Sequence, residues 1–262
     1  MDTFLQQINE LNELQRELVG LHPFFAEHHP VVVAHESLLY IYDYSLNSEQ
    51  YEWVKTVPDD LYIPDDCINT MPVHHLDNRM CVIVTASVFK NVEQQVLLLH
   101  EYVHCSVYRK YNEQIVNRLQ IKHKMTQLKR VTWEIQYEFP YEDESVAAGI
   151  TSLLSALKSE NLQRIQAART ALFESLTEEQ AEYWSWLEWN EGFARYIENQ
   201  IRAQYELEPN HAGDTAPFNH LVFYECGSEY IRLLVQEQPA YHTELEQLFD
   251  RMQVERLASL VG

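Results

Sequence analysis

Leu5, Ile8, Leu11, Leu14 and Leu18 recur at intervals of three and four, so the first twenty residues read as an amphipathic helix. After His22-Pro23 the pattern shifts to that of strands. VVVAH (31–35), LLYIYDY (38–44) and MCVIVTASVF (80–89) are dense in β-branched and aromatic residues, and a small sheet is predicted within about residues 30–90. Between the last two runs, Pro58, Asp59, Asp60, Pro64, Asp65, Asp66 and Pro72 mark a stretch of turns. From Asn91 the helical period continues almost to the end. It covers about 91–111, 113–138, 142–158, 160–174, 178–207, 218–236 and 241–260, with breaks at Phe139-Pro140, Glu208-Pro209 and Gln238-Pro239. The expected fold class is α+β and predominantly helical. Residues 1–111 would form a lobe of helix, small sheet and the helix from Asn91; residues 112–262 would form a larger helical lobe.

Charge narrows the range of partners. Forty acidic residues against nineteen Lys and Arg give a formal charge of −21, a field that repels phosphate backbones and anionic lipid heads. Neither nucleic acid nor a membrane surface is expected as a partner, and no apolar stretch approaches the roughly 18 residues of a membrane span. Six glycines and no GxGxxG or GxxxxGK[ST] run argue against the usual nucleotide folds. Cys67, Cys81, Cys105 and Cys226 are scattered without a CxxC pair, which speaks against a zinc ribbon or a disulfide scaffold. The first residues carry neither a cationic nor a continuous apolar segment, so the expected compartment is the cytoplasm.

One run carries chemistry: Leu97-Leu98-Leu99-His100-Glu101-Tyr102-Val103-His104. Four residues turn a helix by about 400°, so the two imidazoles of this HExxH pattern share a face about 6 Å apart along the axis. That separation lets both nitrogens meet one Zn²⁺ at about 2.1 Å. Glu101 is rotated off the ligand axis but close enough to take a proton from water at the ion, the role of a general base. The helix is apolar nearly all round, and two histidines and a glutamate buried there would be costly without a partner such as a metal. Asn91, followed three residues on by Gln94, supplies a start resembling a capping box. For the third protein ligand two downstream segments offer candidates: Glu144 in YEDESVAA (141–148), and Glu191 in WLEWNEGFARYIE (186–198). Glu191 and Glu198, seven residues apart, share a helix face within about 20°. Gly192 and Ala194 would let another helix approach.

HEYVH followed by WNEGFARYIE resembles the gluzincins, the thermolysin-like zinc peptidases, and most of all their aminopeptidase branch. The resemblance implies a zincin-like core, zinc held by His100, His104 and Glu191, and a supporting role for Glu198 behind the ligands. Phe223-Tyr224-Glu225-Cys226-Gly227 is similar to the family's Y-E-K-G, which implies that Tyr224 stabilises the tetrahedral oxyanion. His220, one turn earlier, could assist as a histidine does in thermolysin-like enzymes, and Gly227 would leave the helix open to substrate. The match forms three islands, with 86 residues between His104 and Glu191 where the aminopeptidase branch has about 20. The G-x-M-E-N strand that anchors a free α-amine is missing, since residues 80–89 contain no acidic side chain. The expected activity is Zn²⁺-dependent hydrolysis of peptides or proteins, endopeptidase rather than aminopeptidase, with the metal in a cleft between the two lobes. The alternative is a catalytically silent, zinc-stabilised interaction protein, against which the presence of Glu101 argues.

Other residues carry simpler expectations. Tyr183, Trp184, Trp186, Trp189 and Phe193 read as core around the site. Arg195 reads as half of an ordinary ion pair. His74 and His75 precede a presumed edge strand, where adjacent side chains point to opposite faces, so a shared metal there is not expected.

Overall fold

The apolar runs of the N-terminal third become strands because two of them lie in the middle of a sheet and must be apolar on both faces. In the computed structural model, which describes residues 3–129 and 133–261, β1 (Val31–His35), β2 (Leu38–Ser45), β3 (Gln50–Pro58), β4 (Ile68–Val73) and β5 (Arg79–Thr85) form one sheet in the order β3-β2-β1-β5-β4. β1 runs parallel to β5 with Val31 opposite Val82, and every other pairing is antiparallel. Val31 to Val33 and Val82 to Val84 are fully buried. The sheet therefore falls within the expected span, with two corrections. β3 and β4 arise in and around the stretch read as turns, and the run at 80–89 is an inner strand that ends at Thr85 in a 3₁₀ turn (Ala86–Lys90).

α1 (Thr3–Glu17) buries Ile8, Leu11 and, just past its end, Leu18, as its stripe requires. It also ties down the open edge of the sheet. The Asn9 amide exchanges two hydrogen bonds with the Tyr51 backbone of β3, at 2.8 and 3.2 Å, taking up ladder groups that an edge strand leaves unpaired.

The chain forms two compact units, Met1–Lys110 with Ile197–Pro209, and Tyr111–Tyr196 with Asn210–Gly262. The second is helical: α3 (Glu113–Val116), α4 (Gln120–Gln127), α5 (Trp133–Gln136), α6 (Glu144–Leu157), α7 (Leu162–Glu174), α8 (Glu178–Gln204, of which the last turns belong to the first unit), α9 (Leu221–Glu237) and α10 (Leu245–Val261). The one long helix expected over 113–138 is thus several short ones. Glu182 of α8, nearly buried, accepts the Gln120 and Ile121 amides at 3.1 and 2.7 Å and so starts α4 anew. The aromatic residues of α8 are core as expected, with Trp184 and Trp189 fully buried.

Gly192 does admit another helix, and that helix is α9. Its partner is Gly227, where a Cβ would fall 2.0 Å from the Glu188 carbonyl oxygen. Gly227 is therefore consumed by helix packing, contrary to the expectation that it opens a path for substrate.

Candidate metal centre

α2 (Val92–Val107) begins where its cap dictates. The Asn91 side chain accepts the Gln94 amide at 2.9 Å, satisfying a donor that the first turn cannot pair internally. One side of the helix fixes it to its own unit. The Tyr102 hydroxyl bonds that of Tyr51, which in turn donates to the His29 carbonyl at 2.9 Å. Ser106 Oγ pairs with His29 Nε2 at 2.8 Å, and burial pushes the His29 pKa down to about 4, so this imidazole is neutral at neutral pH. The Thr70 hydroxyl of β4 donates to the Glu101 carbonyl at 2.9 Å.

With Tyr102 and Ser106 engaged, the helical period turns His100, Glu101 and His104 to another side. Their ligand-type atoms all lie within 4.8 Å of one another. His100 is 5% exposed, while Glu101 and His104 are half-buried. The two Nε2 atoms stand 3.1 Å apart with the rings inclined at 64°. Behind His100, the wholly buried carboxylate of Glu198 accepts from Nδ1 at 3.0 Å, and Arg202, one turn along α8, lies 3.9 Å from its other oxygen. That partner assigns the ring proton to Nδ1 and leaves Nε2 as a lone pair facing His104.

The donor set fits a divalent cation. A proton on His104 Nε2 makes this contact an N–H···N hydrogen bond, and a cation in that proton's place would take a lone pair from each ring. Nitrogens bound to one tetrahedral ion at about 2.1 Å lie about 3.4 Å apart, so only a few tenths of an ångström of opening is needed. The Cys67 thiol, which no local pattern in the sequence marks, lies near enough to feel Glu101. Burial first, and that carboxylate second, raise its pKa, so it remains a thiol.

The other predicted residues lie in the second unit. Glu191 is half-buried on α8 and accepts from the Asn190 amide at 3.3 Å. Glu144 is exposed in the first turn of α6, beside the Asp143 cap, a placement the helix dipole alone explains. Tyr224 and His220 are brought together, their ring centroids 6.1 Å apart; Tyr224 is half-buried and His220 exposed at the start of α9. The Arg195 guanidinium, expected in an ordinary ion pair, lies over the Tyr224 ring at 5.2 Å and donates to the Asn210 carbonyl at 3.2 Å.

Two features of this unit escaped the sequence reading. Arg169 and Glu188 form a buried ion pair, with the guanidinium 4.4 Å from the Tyr230 ring centroid. A cavity of about 290 Å³, lined by Leu154, Leu157, Lys158, His211 and Glu225 among others, contains none of the predicted site residues. No model of a protein family, no curated protein and no solved structure matches the chain. No helix among the described residues is long and apolar enough to cross a membrane.

Proposed function

We propose that this protein is a zinc-dependent peptidase with a zincin-like core, resembling the gluzincins, and that it cleaves within peptides or proteins rather than from a free N-terminus. The observation that carries the reading is the His100–Glu101–His104 cluster, in which two Nε2 atoms 3.1 Å apart are backed by the buried Glu198 carboxylate on His100 Nδ1. His100, His104 and Glu191 would hold the ion. Glu191 stands seven residues before Glu198 on the single helix α8, hence on the same face. Zn²⁺, when bound, supplies Lewis acidity that polarises a carbonyl and acidifies water.

The chain's own residues do the rest. Glu198 keeps the His100 proton on Nδ1 and holds the ring in place. Glu101 takes a proton from water as it attacks and passes it to the leaving amine. Tyr224 donates a hydrogen bond to the developing oxyanion, with His220 beside it. Neither β4 nor β5 carries an acidic side chain to hold a substrate ammonium, which favours internal cleavage. The negative field favours cationic peptides at long range. Four free cysteines, three of them buried, are in keeping with the cytoplasm as the working compartment.

Metal analysis of ligand variants tests the assignment. Parent protein freed of loosely held ions is expected to retain about one equivalent of zinc. Glu191→Ala should empty the site and Glu144→Ala should not. The reverse result would replace Glu191 by Glu144 as the third ligand.

A further inference from the structure

A second group of ligand-type donors comes together from the segments that follow β3 and β4: Asp60, His74 and His75. In an extended strand the two histidines would face opposite ways. Residues His74–Leu76 instead form a 3₁₀ turn between β4 and β5, in which successive residues step by about 120°. The rings consequently lie against each other, centroids 3.9 Å apart. Asp77 and Asn78, both left-handed at φ 54° and 59°, close the turn, and the Asn78 amide returns to the Val73 carbonyl at 3.0 Å.

Opposite them stands Asp60, just beyond the end of β3. The neighbouring Asp59 carboxylate accepts the Leu61 and Ile63 amides, each at 3.1 Å, and so organises this loop. Asp60 is left facing the two rings. His74 Nε2 lies 3.1 Å from one of its oxygens and His75 Nε2 lies 3.0 Å from the other. Both arms are anchored in the same apolar cluster, since Leu76 and Val73 of the turn and Leu61 and Ile63 of the loop all pack into it. The donors are therefore held by the fold and not by one another alone.

We propose that Asp60, His74 and His75 form a second metal site, selective for borderline transition cations of the Zn²⁺ or Co²⁺ type. Two imidazoles and one carboxylate match those ions, whereas Mg²⁺ and Ca²⁺ require oxygen-rich sets. Nitrogen and oxygen ligands at about 2.0–2.1 Å lie about 3.3 Å apart around a tetrahedral ion, so the observed spacings need only slight opening. His74 and Asp60 are each about half exposed, at 52% and 48% of their side chains, so water can complete the coordination and the ion can exchange. This site shares no residue with the HExxH cluster, and the proposal stands or falls separately from the peptidase reading.

The test is a Zn²⁺ titration by calorimetry on the metal-stripped 262-residue chain, repeated with Co²⁺ and followed by its visible absorption. In the His100→Ala/His104→Ala variant about one equivalent of metal should still bind, and Mg²⁺ should not displace it. Asp60→Asn and His75→Gln, made in the unaltered chain, should each remove one equivalent or weaken that step at least tenfold, with the circular dichroism unchanged. Removing a ligand is expected to cost no less than the roughly 10–100-fold seen when a group supporting one is removed. The proposal is overturned if both variants bind the same number of equivalents within about threefold of the parent affinity. It is equally overturned if the His100→Ala/His104→Ala variant, still folded, takes up no Zn²⁺.

Discussion

Replacing Glu198 by Gln keeps the shape of a fully buried side chain while removing its charge. The consequence follows from one contact. Glu198 accepts from His100 Nδ1 at 3.0 Å, which fixes the tautomer and makes Nε2 a better donor to a metal. Removal of such supporting groups lowers metal affinity by about 10–100-fold, equivalent to about 1.4–2.7 kcal/mol. Gln, whose amide oxygen can still accept, should fall near the lower figure. Ala should reach the upper one and also destabilise the metal-free protein by about 1–3 kcal/mol, because a buried N–H loses its acceptor. Arg202 is not stranded by either change, since Glu93 lies 3.5 Å away and the Glu208 carbonyl accepts from it. Competition against a chromogenic zinc chelator gives the affinity, and urea denaturation of metal-free protein gives the stability. If both variants bind zinc within about twofold of the parent while remaining folded, His100 is not a ligand oriented by Glu198.

Three further outcomes are expected. Gly227→Ala should destabilise by about 1–3 kcal/mol or more, because a Cβ 2.0 Å from the Glu188 carbonyl forces α8 and α9 apart; an unchanged thermal midpoint would contradict the packing described. Tyr224→Phe should leave zinc content and stability nearly unaltered and lower kcat by about 10²-fold, whereas a kcat within a few-fold of the parent would make Tyr224 a packing residue. His29 has a folded pKa of about 4 against an unfolded 6.5, so between those values the unfolded chain binds the extra proton and stability falls as pH falls. The loss should approach about 3 kcal/mol by pH 4 and should shrink in His29→Gln, as read by urea denaturation at pH 7 and pH 4.5.

What was legible in the sequence was whatever depends on local pattern. β1 matches its apolar run residue for residue, β2 extends one residue beyond it, and α2 starts at the cap that Asn91 provides. β3 and β4 were missed because they are edge strands, with weak alternation and, in β4, Pro72, which an edge tolerates because its missing N–H need not pair. The break before α4 lies in a tertiary contact: the Glu182 carboxylate sits 61 and 62 positions from the amides it caps. Periodicity alone also cannot separate the acidic residues of α8. Glu188 is taken by Arg169 of α7 and Glu198 by His100, neither of which a helical wheel reveals. The paired rings of His74 and His75 were hidden for a similar reason, since a three-residue 3₁₀ turn reverses the alternation that a strand would impose.

Glu101→Gln measured against zinc content bears most directly on the peptidase reading. The substitution preserves size and removes the proposed base while leaving the proposed ligands on the same helix untouched. The expected result is about one equivalent of zinc in both proteins, with the parent cleaving a broad library of internally quenched peptides and the variant slower by about 10²-fold or more. A parent that holds zinc but cleaves nothing would instead indicate a zinc-stabilised interaction protein. A parent that binds no zinc, or a variant that cleaves as fast as the parent, would contradict the proposed chemistry at its centre.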